Sequence, residues 1–215
     1  MYLTSFGCSF IFGNELSDDG WGTEYATPSH LTWPAHLSRH LGLNYNCLAR
    51  PGSGNLQILT AVLNAAAVNP SEVFVIGWTW IDRFDYNIKN SERWQTIMPN
   101  DTTELAKTYY RDIHSQYRDK LITLMYIKLA IDTLKSKNIK FIMTYMDDLI
   151  LDIKYHTPAH VLELQNYVKP HLTTFEDMSF LEWSRYHNHP VSDLWHPLEQ
   201  AHKAGADYII AQSLV

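Results

Sequence analysis

Short apolar runs alternate along this chain with longer stretches of helical period. The first run, Tyr2 to Phe6, predicts a strand that ends at the small-residue turn Gly7-Cys8-Ser9. From about His30 to Leu41, apolar side chains recur at helical spacing, and Gly42 supplies a stop signal. The chain therefore opens with a strand, a polar loop and a helix.

The same order of elements is then repeated. Asn44 to Leu48 predicts a second strand, and the loop Arg50-Pro51-Gly52-Ser53-Gly54-Asn55 leads into a helix that runs to about Val68. Glu72 to Ile76, preceded by Asn69-Pro70-Ser71, is a β-branched and aromatic run typical of a buried strand in a parallel sheet. These runs supply the first three strands.

The second half of the chain is more irregular. The stretch from Trp78 to about Asp101 has no sustained period, so we expect a long loop or cap, an insertion at about 78–103. Thr103 to about Lys137 predicts one extended helix that ends near Asn138, and Lys140 to Tyr145 predicts another strand. The remaining segments are a connection rich in Pro and His from Tyr155 to Pro170, a weaker segment from Phe175 to Tyr186, and a final helix from about Pro197 to Ser213.

Strands that alternate with helices require right-handed crossovers, which cover both faces of one sheet. The pattern predicts a single domain over residues 1–215, built as a three-layer α/β/α sandwich around a mostly parallel, flavodoxin-like sheet. Ligands of such sheets bind outside the carboxyl ends of the strands. Residues that follow a predicted strand are therefore the candidates for chemistry.

Composition narrows the class of protein. The 215 residues are 46% hydrophobic, enough for one core. With 17 Lys and Arg against 23 Asp and Glu, and no basic stretch, a nucleic-acid partner is not expected. The chain shows neither a secretory leader nor an apolar run long enough to span a membrane, so we expect a soluble, for example cytoplasmic, protein. Two cysteines, Cys8 and Cys47, are too few for a disulfide framework; the sequence leaves a single bridge between them open, and reduced thiols are the simpler assumption.

Three separated segments lie at predicted strand-to-helix junctions: Gly7-Cys8-Ser9, Gly52-Ser53-Gly54-Asn55 and Asp193-Leu194-Trp195-His196-Pro197. A serine in such a turn exposes its hydroxyl, while nearby backbone N–H groups, that of Ser9 included, point at a developing oxyanion. The imidazole of His196 suits the task of taking the serine proton, and Asp193 is placed to orient that imidazole. The sequence predicts a serine nucleophile with this base and this carboxylate.

In this order the segments resemble the sequence blocks of the SGNH hydrolase superfamily, also called GDSL-type esterases and lipases. In the first block, Phe6-Gly7-Cys8-Ser9-Phe10, Cys8 stands where the family has Asp. Asp193 to Pro197 matches the closing Asp-x-x-His-Pro block, and His202 stands where the family often has a second His. The resemblance implies hydrolysis of small acyl esters, acetyl groups on carbohydrate included, on a small-molecule or carbohydrate substrate and without a metal or organic cofactor.

The resemblance also implies the oxyanion donors. Gly54 matches the glycine of the second block best, with Gly52 as an alternative. The third block, Gly-x-Asn-Asp in the family, is replaced here by Gly77-Trp78-Thr79-Trp80, so its asparagine is missing. Thr79 or Asn55 is expected to substitute for it. Loss of one donor costs roughly 2.7 to 4 kcal/mol of transition-state stabilisation, which would make a slow enzyme.

Two other functions fit the same residues. A non-catalytic binding or structural module would keep the sheet and its pocket and would explain the missing asparagine. His187, His189, His196 and Asp193 offer ligands for zinc or another divalent ion, although the sequence has no His-Glu-x-x-His cluster. Asp193 could also serve as a helix cap.

Overall fold

The computed structural model describes residues 1–20, 26–68, 73–89 and 91–212. Its strands are β1 (Tyr2–Phe6), β2 (Asn44–Cys47), β3 (Val73–Trp78), β4 (Phe84–Asn87), β5 (Trp94–Ile97) and β6 (Lys140–Tyr145). Its helices are α1 (Ser9–Phe12), α2 (Trp33–His40), α3 (Asn55–Val68), α4 (Glu104–Thr108), α5 (Gln116–Ser136), α6 (Ala159–Val168), α7 (Phe180–Tyr186) and α8 (Glu199–Ala211).

The central sheet is parallel, with the strand order β2-β1-β3-β6. β1 is paired on both sides, with Ser5 opposite Cys47 of β2 and Phe6 opposite Ile76 of β3. A parallel bridge between Met143 and Leu172 continues the sheet beyond β6. This is the order of a flavodoxin-like sheet, so the predicted fold class is confirmed.

Helices cover both faces of this sheet. Because successive side chains of a strand point to opposite faces, Phe74 and Ile76 of β3 pack with α3 and α5, whereas Val75 packs with α2 and α8. The sheet is thus the middle layer of a three-layer sandwich. The carboxyl ends of β1 and β3 meet at one edge, where the loops that carry the candidate residues begin.

The predicted loop after β3 contains regular structure. Trp78 still belongs to β3, and β4 and β5 form an antiparallel hairpin within the expected insertion. Each of these strands has four residues. Runs this short give no recognisable alternation, so the loop prediction was wrong over the hairpin.

The predicted helix over Thr103 to Lys137 is interrupted. α4 passes into a π-helical turn, Tyr109–Ile113, and α5 begins anew after Ser115, whose hydroxyl accepts a hydrogen bond from the Arg118 N–H. The connection predicted from Tyr155 to Pro170 contains α6, whose buried side chains Val161, Gln165 and Val168 recur at helical spacing. Its Pro and His content obscured this pattern.

The other predicted elements agree with the structure to within a few residues. Asn138 follows α5 with a φ of 55°, as a helix end requires. Asn69-Pro70-Ser71, Glu72 and Ser213 lie outside the described residues. None of the helices in the described ranges is both long and apolar enough to cross a membrane.

Candidate active site

Two glycines allow the turn that carries Ser9 to pack closely on the sheet. A Cβ on Gly7 or Gly77 would come within 2.6 or 2.7 Å of Ile11 Cγ1. Their missing side chains therefore let α1 pack directly on the ends of β1 and β3. Ser9 is the first residue of this helix and is 7% exposed. Its hydroxyl consequently lies at the carboxyl edge of the sheet, as the sequence predicted.

His196 reaches Ser9 from the far end of the chain. Its Nε2 lies 2.9 Å from Ser9 Oγ. The ring is carried by a tight turn. Two backbone hydrogen bonds close this turn, from the Ser192 N–H to the His196 carbonyl at 2.9 Å and from the Trp195 N–H to the Ser192 carbonyl at 3.0 Å. Trp195 adopts a φ of 71°, a strained conformation for a bulky residue that is typical of functional sites. The structure brings the predicted nucleophile and base into hydrogen-bond contact.

Glu15 is the carboxylate that contacts His196. Its Oε2 bonds to His196 Nδ1, and the Ser192 hydroxyl donates to the same oxygen at 2.5 Å. Burial opposes ionisation of Glu15, but the hydrogen bonds with Ser192 and His196 outweigh it and hold the pKa of this carboxyl below its usual value. An ionised Glu15 accepts the Nδ1 proton, which leaves Nε2 free to accept the proton of Ser9.

Asp193 does not occupy the expected position. It lies at the exposed tip of the 192–196 turn, and the structure places Glu15 at His196 Nδ1 instead. Backbone hydrogen bonds from Ser192 to His196 and from Trp195 to Ser192 close this turn, and Asp193 is an exposed residue within it. Sequence reasoning missed Glu15 because its contact with His196 is tertiary and gives no spacing motif.

Asp85 engages the predicted oxyanion donor Gly54. The Gly54 N–H donates to Asp85 Oδ1 at 2.9 Å, and the Gln57 N–H donates to Asp85 Oδ2 at 2.9 Å. Asp85, on β4, thereby caps the N-terminus of α3 from across the loop. In this structure the N–H of Gly54 therefore has an acceptor other than a substrate oxyanion.

Asn55 and Thr79 bond to each other. The Asn55 amide donates to the Thr79 carbonyl at 3.1 Å and accepts from the Thr79 N–H at 2.8 Å. Asn55 thus fixes the loop after β3, and its amide is occupied there. The Thr79 hydroxyl is buried and has no hydrogen-bond partner among the described residues. Of the two substitutes considered for the missing asparagine, only Thr79 keeps a free donor.

Aromatic rings border the Ser9–His196 pair. Phe10 meets His196 edge-on, with ring centroids 5.3 Å apart, and meets Trp80 in the same way at 5.7 Å. The guanidinium of Arg83 stacks over Trp80 at 4.8 Å. Trp78, by contrast, is fully buried in the core. The site therefore has an apolar rim on the side of the β3 loop.

Two of the remaining histidine candidates, His202 and His187, have structural partners. His202 is buried, and its Nδ1 accepts the Trp33 N–H at 3.1 Å. Burial lowers the pKa of His202 to about 3, so the ring is neutral. His187 pairs with Glu176 at 3.1 Å. The described ranges contain no group of three or more His, Cys, Asp or Glu side chains placed to hold a metal ion. Cys8 and Cys47 are free thiols.

Comparisons with solved structures identify the fold. A lipolytic protein of the G-D-S-L family from Veillonella parvula superposes with a TM-score of 0.52 at 12% identity, over 98% of this chain and 97% of that one. An acetyl xylan esterase from the rumen bacterium Butyrivibrio proteoclasticus gives 0.53 at 14% identity, over 99% and 63%. A psychrotrophic esterase from Pseudoalteromonas sp. gives 0.51 at 8% identity, over 98% and 96%.

The chain therefore has the α/β fold of GDSL-type lipolytic proteins and acetyl xylan esterases. No protein-family model and no curated protein matches its sequence.

Proposed function

We propose that this chain is a serine hydrolase that cleaves acyl esters, with Ser9 as nucleophile, His196 as base and Glu15 as the carboxylate that orients the base. One observation carries the proposal: a hydrogen-bonded path runs from Ser9 Oγ through both nitrogens of His196 to Glu15. Hydroxyl, imidazole and carboxylate in this order form the constellation that activates a serine. Its position at the carboxyl edge of a parallel sheet supports the proposal further.

In the first half of the proposed reaction, Ser9 Oγ attacks the ester carbonyl carbon while His196 Nε2 takes the hydroxyl proton. The carbonyl oxygen becomes an oxyanion. The N–H of Ser9, in the first turn of α1, and the hydroxyl of Thr79 are the donors that we assign to it. His196 then returns the proton to the leaving alkoxide, and the acyl group stays on Ser9.

Water completes the cycle. His196 takes a proton from the water molecule as its oxygen attacks the acyl carbon, and then gives that proton back to Ser9. Glu15 stays ionised throughout because its pKa is below the usual value. Its negative charge stabilises the imidazolium that forms in both steps.

A serine-directed probe tests this assignment. We expect a fluorophosphonate to label the purified protein, which should also hydrolyse 4-nitrophenyl acetate, and Ser9→Ala should abolish labelling and reduce turnover by at least about a thousandfold. Ser136→Ala is the matched control, since the Ser136 hydroxyl only bonds the Thr133 carbonyl on the surface of α5. A wild-type protein that neither reacts with the probe nor hydrolyses the ester would refute the proposal.

One observation favours a second candidate, a binding module without turnover. The N–H of Gly54 donates to Asp85, so one expected oxyanion donor is occupied. A hydrolase short of one donor is slow, whereas a binding module needs none. The two candidates differ in the outcome of the labelling experiment.

A further inference from the structure

The segment that carries His196 is a short hairpin. An antiparallel bridge pairs Val191 with Pro197. The same register sets Ser192 opposite His196, and the Ser192 N–H donates to the His196 carbonyl at 2.9 Å. The three residues between these two form the loop. We refer to residues 191–197 as the histidine hairpin.

The loop of the histidine hairpin determines which side chain accompanies the imidazole. A three-residue hairpin loop is commonly a type I turn followed by one residue in the left-handed conformation. Trp195, the third residue of this loop, has a φ of 71°, and the Arg185 guanidinium of α7 stacks over its ring at 3.7 Å. Directly opposed residues of an antiparallel pair place their side chains on the same face. Ser192 therefore lies on the face of His196, whereas Asp193 belongs to the loop.

The Ser192 hydroxyl connects the base with its carboxylate. Its Oγ accepts the His196 backbone N–H at 3.1 Å and donates to Glu15 Oε2 at 2.5 Å. A hydroxyl has a single proton to donate, so this proton is committed to Glu15. The bond that Oγ accepts from His196 restricts the direction in which the proton points.

Glu15 needs this second contact because its side chain is partly open to water. The Glu15 side chain is 34% exposed, whereas that of His196 is 13% exposed. A single pairing at such an exposed position competes with hydration and is weak. Glu15 Oε2 contacts both His196 Nδ1 and the Ser192 hydroxyl. The carboxylate therefore cannot turn towards water without losing both contacts.

We infer that Ser192 is a positioning residue of the proposed hydrolase, whose hydroxyl holds Glu15 Oε2 against His196 Nδ1. The inference rests on the proposed function, because the role of Ser192 is to support the activation of Ser9. Ser192 exchanges no proton with Ser9 and acts only through Glu15. Its hydroxyl allows a carboxylate from the loop after α1 to serve a base on the histidine hairpin.

A double-mutant cycle with Glu15 tests this role. We expect Ser192→Ala to lower kcat for 4-nitrophenyl acetate about tenfold with little change in KM, because Glu15 loses a donor. Ser192→Cys should resemble Ser192→Ala, since a thiol is a weak donor, and Ser192→Thr should keep most of the activity. In a Glu15→Gln background, Ser192→Ala should lower kcat by less than about twofold, because the group through which Ser192 acts has already been changed.

Leu194→Ala is the matched control within the histidine hairpin. Leu194 is 69% exposed, so kcat of this variant should stay within about a factor of two of the wild type. If Ser192 only stabilised the hairpin, the tenfold loss would recur in the Glu15→Gln background, and Ser192→Thr would not restore activity. Either of these results, or a wild-type kcat for Ser192→Ala, would overturn the inference.

The ionisation of Glu15 gives a second readout that needs no turnover. Burial opposes ionisation, but the hydrogen bonds with Ser192 and His196 outweigh it and lower the pKa of Glu15. The carboxyl ¹³C resonance of Glu15, assigned with Glu15→Gln, should therefore titrate at a higher pH in Ser192→Ala than in the wild type.

The neighbouring carboxylates are the same in both proteins. Asp18 and Asp19 share the loop of Glu15, where Asp19 Oδ2 accepts the Glu15 N–H, and Glu199 of α8 accepts the Ser17 N–H. A difference between the two titrations therefore reports the Ser192 hydroxyl. If the wild type hydrolyses no ester, the proposed function fails, and this titration still tests whether Ser192 acts on Glu15. Identical titrations of Glu15 in the two proteins would overturn the inference.

Discussion

Glu15 adopts a φ of 67°, a left-handed conformation that costs a residue other than glycine about 1 to 3 kcal/mol. Local hydrogen bonds hold it there. The Glu15 N–H donates to Asp19 Oδ2 at 3.0 Å, and the Ser17 N–H donates to Glu199 Oε1 on α8 at 2.8 Å. The loop after α1 is thereby fixed to the same helix that follows His196. This constraint keeps the Glu15 carboxylate within reach of the imidazole.

We expect Glu15→Gln to lower kcat for 4-nitrophenyl acetate by about a thousand- to ten-thousandfold, because a neutral amide does not stabilise the imidazolium. KM should change little. Asp193→Asn is the matched control at the carboxylate that sequence reasoning chose, and its kcat should stay within about a factor of two. The reverse ranking of these two variants, measured under the same conditions, would return the orienting role to Asp193.

At the scale of elements, the site depends on how closely α1 approaches the sheet. Ile11 packs against the backbone of both Gly7 and Gly77. This contact sets the distance between the nucleophile turn and the end of β3, where Thr79 lies. A change of either glycine therefore disturbs an interface between elements rather than one side chain.

We expect Gly77→Ala to lower the free energy of unfolding by about 1 to 3 kcal/mol, because the new methyl group would lie 2.7 Å from Ile11 Cγ1. Ile11→Ala should cost more than this alone, because it leaves a cavity. Combined with Gly77→Ala, it should cost less than the sum of the two, since the smaller side chain makes room for the methyl group. Urea denaturation of the wild type, the two single variants and the double variant measures this coupling. If the two changes in unfolding free energy are strictly additive, the new methyl group is accommodated by movements that do not involve Ile11.

Sequence patterns were informative where an element's own residues determine it. The turn at Ser9 and the buried strand β3 follow from local composition, and both lie where they were predicted. The hairpin was missed because its strands are short, and α6 because Pro and His obscured its period. Glu15 and Asp85 act through contacts with distant segments, and no local pattern encodes such contacts. The predicted roles of Asp193 and Gly54 depended on these same contacts.

At the scale of the whole molecule, His202 of α8 joins two helices of one layer. Its Nδ1 accepts the Trp33 N–H at the start of α2, and its ring packs on Phe180 at 5.0 Å. Burial lowers the pKa to about 3, against a small opposing effect of a hydrogen bond with the Pro197 backbone. The link between α2 and the loop of His196 thus depends on a neutral imidazole.

The stability of the protein should therefore depend on this histidine in acid. The unfolded chain protonates His202 near pH 6.5, whereas the folded protein does so only near pH 3, so unfolding takes up a proton between these values. The contribution is fully present above about pH 6.5, and we expect it to fall by up to about 1.4 kcal/mol for each pH unit below that.

A comparison with His202→Asn isolates this effect. The variant should be less stable at pH 7 but lose less stability between pH 6.5 and 4 than the wild type does, as measured by denaturant titration. The ionisation of Asp148 changes stability with pH in the opposite direction. Burial, with the neighbouring Glu182, raises the pKa of Asp148 to about 7, so its contribution is present in acid and is lost as pH rises to that value. If the wild type and His202→Asn lose stability equally between pH 6.5 and 4, the assignment of this effect to His202 is wrong.

The separation of Ser9 from His196 along the chain also has a consequence for biosynthesis. His196 is the 187th residue that the ribosome adds after Ser9, so the imidazole that we propose as the base is made long after the serine. Under the proposed function, the Ser9 hydroxyl of a nascent chain stays inert until the segment that carries His196 has been translated and has docked. The appearance of hydrolytic turnover would report the completion of folding during translation, without an added label.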